Sequence, residues 1–187
     1  MLANPPFGRR SSITGVGADG RKAREDSEVA RPDFWVTTSN KQLNFVQHIA
    51  QMFAMNGRAA VVRPDNVLVE GGTGETIRRR LLAEYDVHTL LRLPTGISYA
   101  GGVKANVLFF DHRPARPGEP WTTDLCVYDL RTGQHFTQKQ RPLQREHLDD
   151  FVACYRPARP ARRGWSPSAS SATATTSWSR ATRRTST

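Results

Sequence analysis

Residues 1–155 are predicted to form an α/β layered sheet, for two reasons. Amphipathic stretches of helical period alternate with β-branched runs that are too short to be helices. No apolar run approaches the roughly 18 residues that a membrane-spanning helix needs, and the N-terminus carries no signal-peptide pattern. A cytoplasmic location without membrane contact is therefore expected.

The elements follow in order. Met1 to Phe7 reads as an apolar strand end running into a stiff turn. Residues 8–38 are polar and Gly-rich and predict a long loop, a kind of segment that is usually functional or mobile. Ser39 and Gln42 form a capping-box pattern, after which Leu43, Val46, Ile49, Ala50 and Phe53 recur at helical spacing, with Gly57 at the expected C-cap. Ala59 to Val62 predicts a short buried strand stopped by Pro64. Gly71-Gly72-Thr73-Gly74 leads into a helix over residues 75–84 with Ile77, Leu81 and Leu82 on its apolar face. Strands are predicted at Val87–Leu93, Val107–Phe110 and, at the outside of the sheet, Leu125–Leu130. A last helix is predicted over Arg145–Tyr155. Beyond Tyr155 the composition shifts to Ser, Thr, Ala and Arg without periodicity. Residues 156–187 are predicted to be a disordered tail, because little there can offset the entropy of ordering.

Charge and cysteine usage narrow the function classes. The net charge of +10 suggests nucleic acid, but residues 156–187 hold seven Arg and no acid, which leaves 20 basic and 17 acidic residues in the body. The body is only mildly basic, so net charge does not by itself argue for DNA binding. Cys126 and Cys154 have no CxxC or Cys/His neighbourhood, and the five His are scattered, so neither a disulfide nor a metal site is expected.

The motif with chemical content is Asn4-Pro5-Pro6-Phe7. A chance match to these residue types in a chain of this length is on the order of one in a thousand. A purely structural alternative is a Pro-rich turn capped by Asn, with Phe packed into the core. The chemical reading starts from an exocyclic amine such as adenine N6, whose lone pair is delocalised into the ring. Two acceptors aimed at its N–H bonds pull the nitrogen toward a tetrahedral shape and free that pair. The Asn4 side-chain oxygen and the Pro5 carbonyl suit this role, and the prolines keep the turn stiff. Phe7 would stack on a base that has left the duplex, replacing about 1–3 kcal/mol of lost stacking. Methyl transfer to the amine then proceeds by direct displacement, without metal or covalent enzyme intermediate.

Asn4-Pro5-Pro6-Phe7 resembles the catalytic motif of amino-methyltransferases. Residues 37–47, 57–72 and 90–111, including Leu93-Pro94-Thr95-Gly96 and Lys104-Ala105-Asn106-Val107-Leu108-Phe109-Phe110-Asp111, resemble the modification subunit of type I restriction systems. The similarity extends over about residues 3–155. It implies the C-terminal part of a Rossmann-like, S-adenosylmethionine-dependent methyltransferase sheet, with Asn4, Pro5, Pro6 and Phe7 as the target-adenine site. It further implies that Lys104 and Asn106, after the Gly101-Gly102 turn, line the same cleft. Ser98 and Gly101 depart from the family pattern, which has a bulkier aromatic and a Gln there. The implied activity is site-specific methylation of adenine N6 in double-stranded DNA, within a complex containing a specificity subunit and a restriction subunit.

In such a family the loop that holds S-adenosylmethionine precedes the Asn-Pro-Pro-Phe motif, and only three residues precede Asn4 here. The chain is accordingly expected to lack the donor site and to be inactive alone, with Met1 standing for a valine codon read as a start. The tail carries a related expectation. Family segments such as Ser-Tyr-Asp-Glu-Leu-Val-Ala-Arg, written in GC-rich codons and read one base late, give the series found from Ala174 to Thr182. A frameshift between about Tyr155 and Ala174 is expected, the alternative being a genuine basic arm for DNA. Two further classes stay open: a non-catalytic remnant that docks a specificity subunit, and a DNA-binding module working through its Arg tail.

Three weaker features complete the reading. Gly71–Gly74 lacks the Gly-Lys-Ser/Thr ending of a P-loop and reads as a loop leading into a helix. Arg78-Arg79-Arg80 is either a phosphate contact or a solvated helix face. Trp35 is either a DNA contact or a buried side chain.

Overall fold

The computed structural model describes residues 1–8, 12–16, 22–26, 31–97, 103–131, 136–137, 139–155 and 177–180. In chain order the elements are β1 (Leu2–Ala3), β2 (Ser12–Val16), β3 (Lys22–Asp26), α1 (Lys41–Met52), β4 (Arg58–Pro64), α2 (Asn66–Val69) and α3 (Thr73–Glu84). There follow β5 (Tyr85–Arg92), β6 (Ala105–His112), β7 (Asp124–Asp129), a 3-10 turn (Arg145–Leu148), α4 (Asp149–Cys154) and β8 (Ser177–Arg180). None of the described helices is long and apolar enough to cross a membrane.

The predicted α/β sheet is present, as six strands in the order β1-β4-β6-β5-β7-β8. β1 runs parallel to β4 and β5 parallel to β7, while β6 lies antiparallel between β4 and β5. This order follows from the connections. The path from β4 to β5 runs through α2 and α3, a helical crossover between strands of like direction. β6 then returns beside β5 and fills the place the crossover skipped. As a result β1, β4, β5 and β7 all point their carboxyl ends the same way.

Two apolar layers sandwich the sheet. On β4, Ala59 and Val61 join the cluster built by Leu43, Val46, Ile49 and Ala50 of α1, whereas Val62 faces the opposite cluster around Leu91, Tyr128 and Phe151. The helical stripe read from the sequence is thus the buried face of α1. Tyr85 ties that helix to β5, its hydroxyl donating to the Ala50 carbonyl at 2.6 Å. Burial, with the Glu84 charge beside it, pushes the Tyr85 phenol up to about 12. Trp35 is half-buried against the same cluster, edge-on to Tyr85 at 6.2 Å between ring centroids, which favours its packing role.

Several local expectations are corrected. The α1 N-cap is Asn40, whose side chain accepts from the backbone N–H of Gln42 and Leu43; Ser39 lies one residue too early. The helix ends at Met52, so Gly57 closes a turn onto the Ala54 carbonyl at the start of β4 instead of capping α1. The expected loop over residues 8–38 contains the antiparallel pair β2–β3. α2 was not foreseen, and the last helix begins as a 3-10 turn. Of the tail, Ser177–Arg180 pairs antiparallel with β7, and the rest of residues 156–187 lies outside the described residues, as do Ser98 and Gly101.

Gly96, in the Leu93-Pro94-Thr95-Gly96 turn after β5, has a structural reason to be glycine. Its φ is +89° and a Cβ there would sit 1.9 Å from the Phe136 carbonyl oxygen.

Candidate functional site

Asn4 follows β1 directly, at the carboxyl end of the parallel strands, where open α/β sheets place their ligands. Pro5 is buried and Asn4 exposed, so the turn is anchored in the fold with its amide toward solvent. Phe7 is half-buried, packed against the cluster of Leu91, Tyr128 and Phe151 and leaving part of its ring accessible. The four residues singled out in the sequence therefore form one segment leaving β1, with Asn4 exposed, Pro5 buried and Phe7 half-buried.

The turn has an outside support that sequence reading missed. Gln42, only 1% exposed on the first turn of α1, donates from Nε2 to the Pro6 carbonyl at 2.6 Å and to the Gly8 carbonyl at 3.2 Å. Its Oε1 accepts from Arg63 Nη1 at 3.3 Å. The expected capping-box role of Gln42 thus gives way to a bridge across to residues 6 and 8. Gln47 holds the neighbouring segment in the same manner, its amide exchanging hydrogen bonds with the Val36 N–H and carbonyl at 2.9 and 3.0 Å. The available signal was the unusual placing of Gln42, Asn44 and Gln47 among the apolar positions of an amphipathic helix.

A polar row crosses the sheet at this end. Arg63 on β4 pairs with Asn106 on β6, Asn106 with Arg92 on β5, and Arg92 with Asp129 on β7. Asn106 is fully buried, its amide donating to Asp65 Oδ1 at 2.6 Å, and Asp65 and Asp129 are joined through Arg131. Asn106, which the resemblance implied would line the cleft, thus lies in the interior of the sheet beside Asp65. Lys104 is exposed, and its carbonyl accepts from the Asp65 N–H. Among the described residues, the buried polar side-chain atoms without a partner are Arg63 Nε and Nη2, Arg92 Nε and Asn106 Oδ1, all in this row. Burial lowers the Arg63 guanidinium to about 9. Arg131 and the nearby Arg92 hold the Asp129 carboxyl below its usual range, the Arg131 hydrogen bond contributing most.

The remaining candidates resolve as structural. Arg79 pairs with Glu75 and Arg80 with Glu84 along the exposed face of α3, and Arg78 donates to the Val67 carbonyl of α2. Gly71–Gly74 leads from α2 into α3, following a helix and not a strand. Cys126 and Cys154 are free. A depression of about 420 Å³ lined by Gly96, Phe136, Thr137, Lys139 and Gln140 is separate from the Asn4 turn.

With this geometry established, comparison with known proteins bears on its origin. The methylase subunit of the type I restriction enzyme EcoKI from Escherichia coli K12 is 46% identical over 158 residues, which is 83% of this chain and 27% of that protein. The StySPI methylase subunit from Salmonella potsdam is 44% identical over the same share of each chain. The crystal structure of the EcoKI M protein superposes with a TM-score of 0.66 at 45% identity, over 82% of this chain and 29% of that one. The chain thus spans about a quarter of the length of the curated relatives it matches. The family model described as N-6 DNA Methylase matches residues 1–177, and together with these relatives it shows that the chain belongs to the N-6 DNA methylase family.

Proposed function

We propose that this chain carries the target-base part of an adenine-N6 DNA methyltransferase, the modification subunit of a type I restriction-modification system. The observation that carries the proposal is the segment leaving β1: Asn4 exposed, Pro5 buried and Phe7 half-buried against the Leu91 cluster. In this reading the Asn4 Oδ1 and the Pro5 carbonyl accept from the two N–H bonds of an extruded adenine, and Phe7 packs against the base. The amine loses conjugation with the ring and becomes nucleophilic. The stiffness of the two prolines keeps the reorganisation small.

The methyl group would come from S-adenosylmethionine, whose sulfonium centre supplies an electrophilic carbon when bound. The described residues do not fit a donor site: their one Gly-rich loop before a helix, Gly71–Gly74, follows α2 and not a strand. No transfer step is assigned to them, and the chain alone is expected to transfer no methyl group. Double-stranded DNA, a specificity subunit and a restriction subunit are the proposed partners, in the cytoplasm. Lys104, exposed beside the polar row, is proposed as a substrate-side residue, together with the buried Asn106, whose amide donates to Asp65 while the Asp65 N–H donates to the Lys104 carbonyl.

The test measures binding of a short single-stranded oligonucleotide with one adenine against the same oligonucleotide carrying N6,N6-dimethyladenine, which has no N–H to donate. The chain should prefer adenine, and Asn4→Ala should bring the ratio close to one. Equal affinity of the unaltered chain for both oligonucleotides would refute the base-site reading.

A further inference from the structure

We infer that Gln42 is a positioning residue for the target base: its side-chain amide holds the Asn4-Pro5-Pro6-Phe7 turn in the shape that presents the two acceptors. This rests on the base-site reading above and adds a residue on a different element.

The argument begins with what the turn lacks. Pro5 and Pro6 have no N–H, so this stretch of backbone is rich in acceptors and poor in donors. It cannot close on itself by the usual carbonyl-to-amide hydrogen bond at those positions. Donors have to come from elsewhere, and Gln42 supplies both N–H bonds of one amide, to the carbonyls of Pro6 at 2.6 Å and Gly8 at 3.2 Å. Holding those two carbonyls on the α1 side fixes the path of the chain on both sides of Phe7.

The amide is itself held. Arg63 Nη1 donates to Gln42 Oε1 at 3.3 Å, which determines which end of the amide is oxygen. Asn40 accepts from the Gln42 backbone N–H at 2.9 Å, and its own side chain donates to Glu70 Oε2 at 2.7 Å. Gln42 is 1% exposed, so water does not replace it readily. What sets Gln42 apart from Gln47, which holds backbone only at Val36, is that its two donors reach residues 36 and 34 positions away in sequence and grip the chain on both sides of Phe7.

The test uses the full chain and the adenine against N6,N6-dimethyladenine binding ratio, with thermal unfolding run alongside. Gln42→Glu keeps the shape and the pairing with Arg63 but cannot donate when ionised. Gln42→Asn keeps the amide but is one methylene too short to reach. Both variants should lose about tenfold in the adenine preference, while affinity for the dimethylated oligonucleotide, which reports stacking and backbone contact, changes less than twofold. If Asn4→Ala abolishes the preference and both Gln42 variants keep it while remaining folded, the positioning role is overturned. If the unaltered chain shows no preference, the base-site reading itself has failed instead. A loss of affinity for both oligonucleotides in equal measure, with lowered melting, would also overturn it, since that is the signature of general destabilisation.

Discussion

Arg63 is the least comfortable residue in the described fold, and replacing it should stabilise the protein. Its side chain is 1% exposed, it donates to Gln42, and its Nε and Nη2 have no partner among the described residues. The fall of its guanidinium to about 9 corresponds to roughly 5 kcal/mol of unfavourable charge burial. Arg63→Met removes that charge at similar length. It leaves Gln42 Oε1 without its donor, which costs about 1–2 kcal/mol. The expected net effect is stabilisation by about 3–4 kcal/mol, in line with other buried charges exchanged for apolar side chains. The assay is urea unfolding followed by circular dichroism, with unchanged slope for both proteins. The sign of the pH dependence provides a second check. A cation whose folded pKa is depressed binds fewer protons in the folded than in the unfolded state between about 9 and the ordinary guanidinium value. The native chain therefore regains stability as pH rises through that window, and the advantage of the Met variant is full below about pH 9 and shrinks above it. A Met variant less stable than the native chain at pH 7.5 would refute the reasoning and indicate that Arg63 is satisfied by a partner or ligand.

Two other predictions test the local corrections. Asn40→Ala should cost about 1 kcal/mol or slightly more, because it removes the α1 cap and the contact with Glu70, whereas Ser39→Ala should change urea stability by less than about 0.5 kcal/mol. Gly96→Ala should cost about 2–4 kcal/mol or displace the Phe136 segment, because the added Cβ meets the Phe136 carbonyl at a φ of +89°. Thermal melting, with hydrogen exchange around residue 136, distinguishes these outcomes.

The legible parts of this protein were those encoded in short-range periodicity. The α1 stripe of Leu43, Val46, Ile49 and Ala50 is its buried face, because helical spacing puts these side chains on one side whatever they meet. The short apolar runs at Ala59–Val62 and Val107–Phe110 are strands for the corresponding reason. The Asn4-Pro5-Pro6-Phe7 segment was expected to leave a strand directly, and it does follow β1, its two prolines supplying no N–H. One-residue details were less secure. Ser39 and Asn40 are both good caps, and the choice fell to Asn40, whose side chain also reaches Glu70 on another element.

What the amino-acid order determined alone was therefore the alternation of elements and the apolar face of each. Tertiary structure decided that β6 enters antiparallel between β4 and β5, that Asn106 sits inside a polar row, and that Gln42 supports the turn. The physical reason is range. Helical and strand periodicity act over a few residues, whereas a hydrogen bond from residue 42 to residue 6, or from residue 106 to residue 65, exists only after the chain has brought distant segments into register.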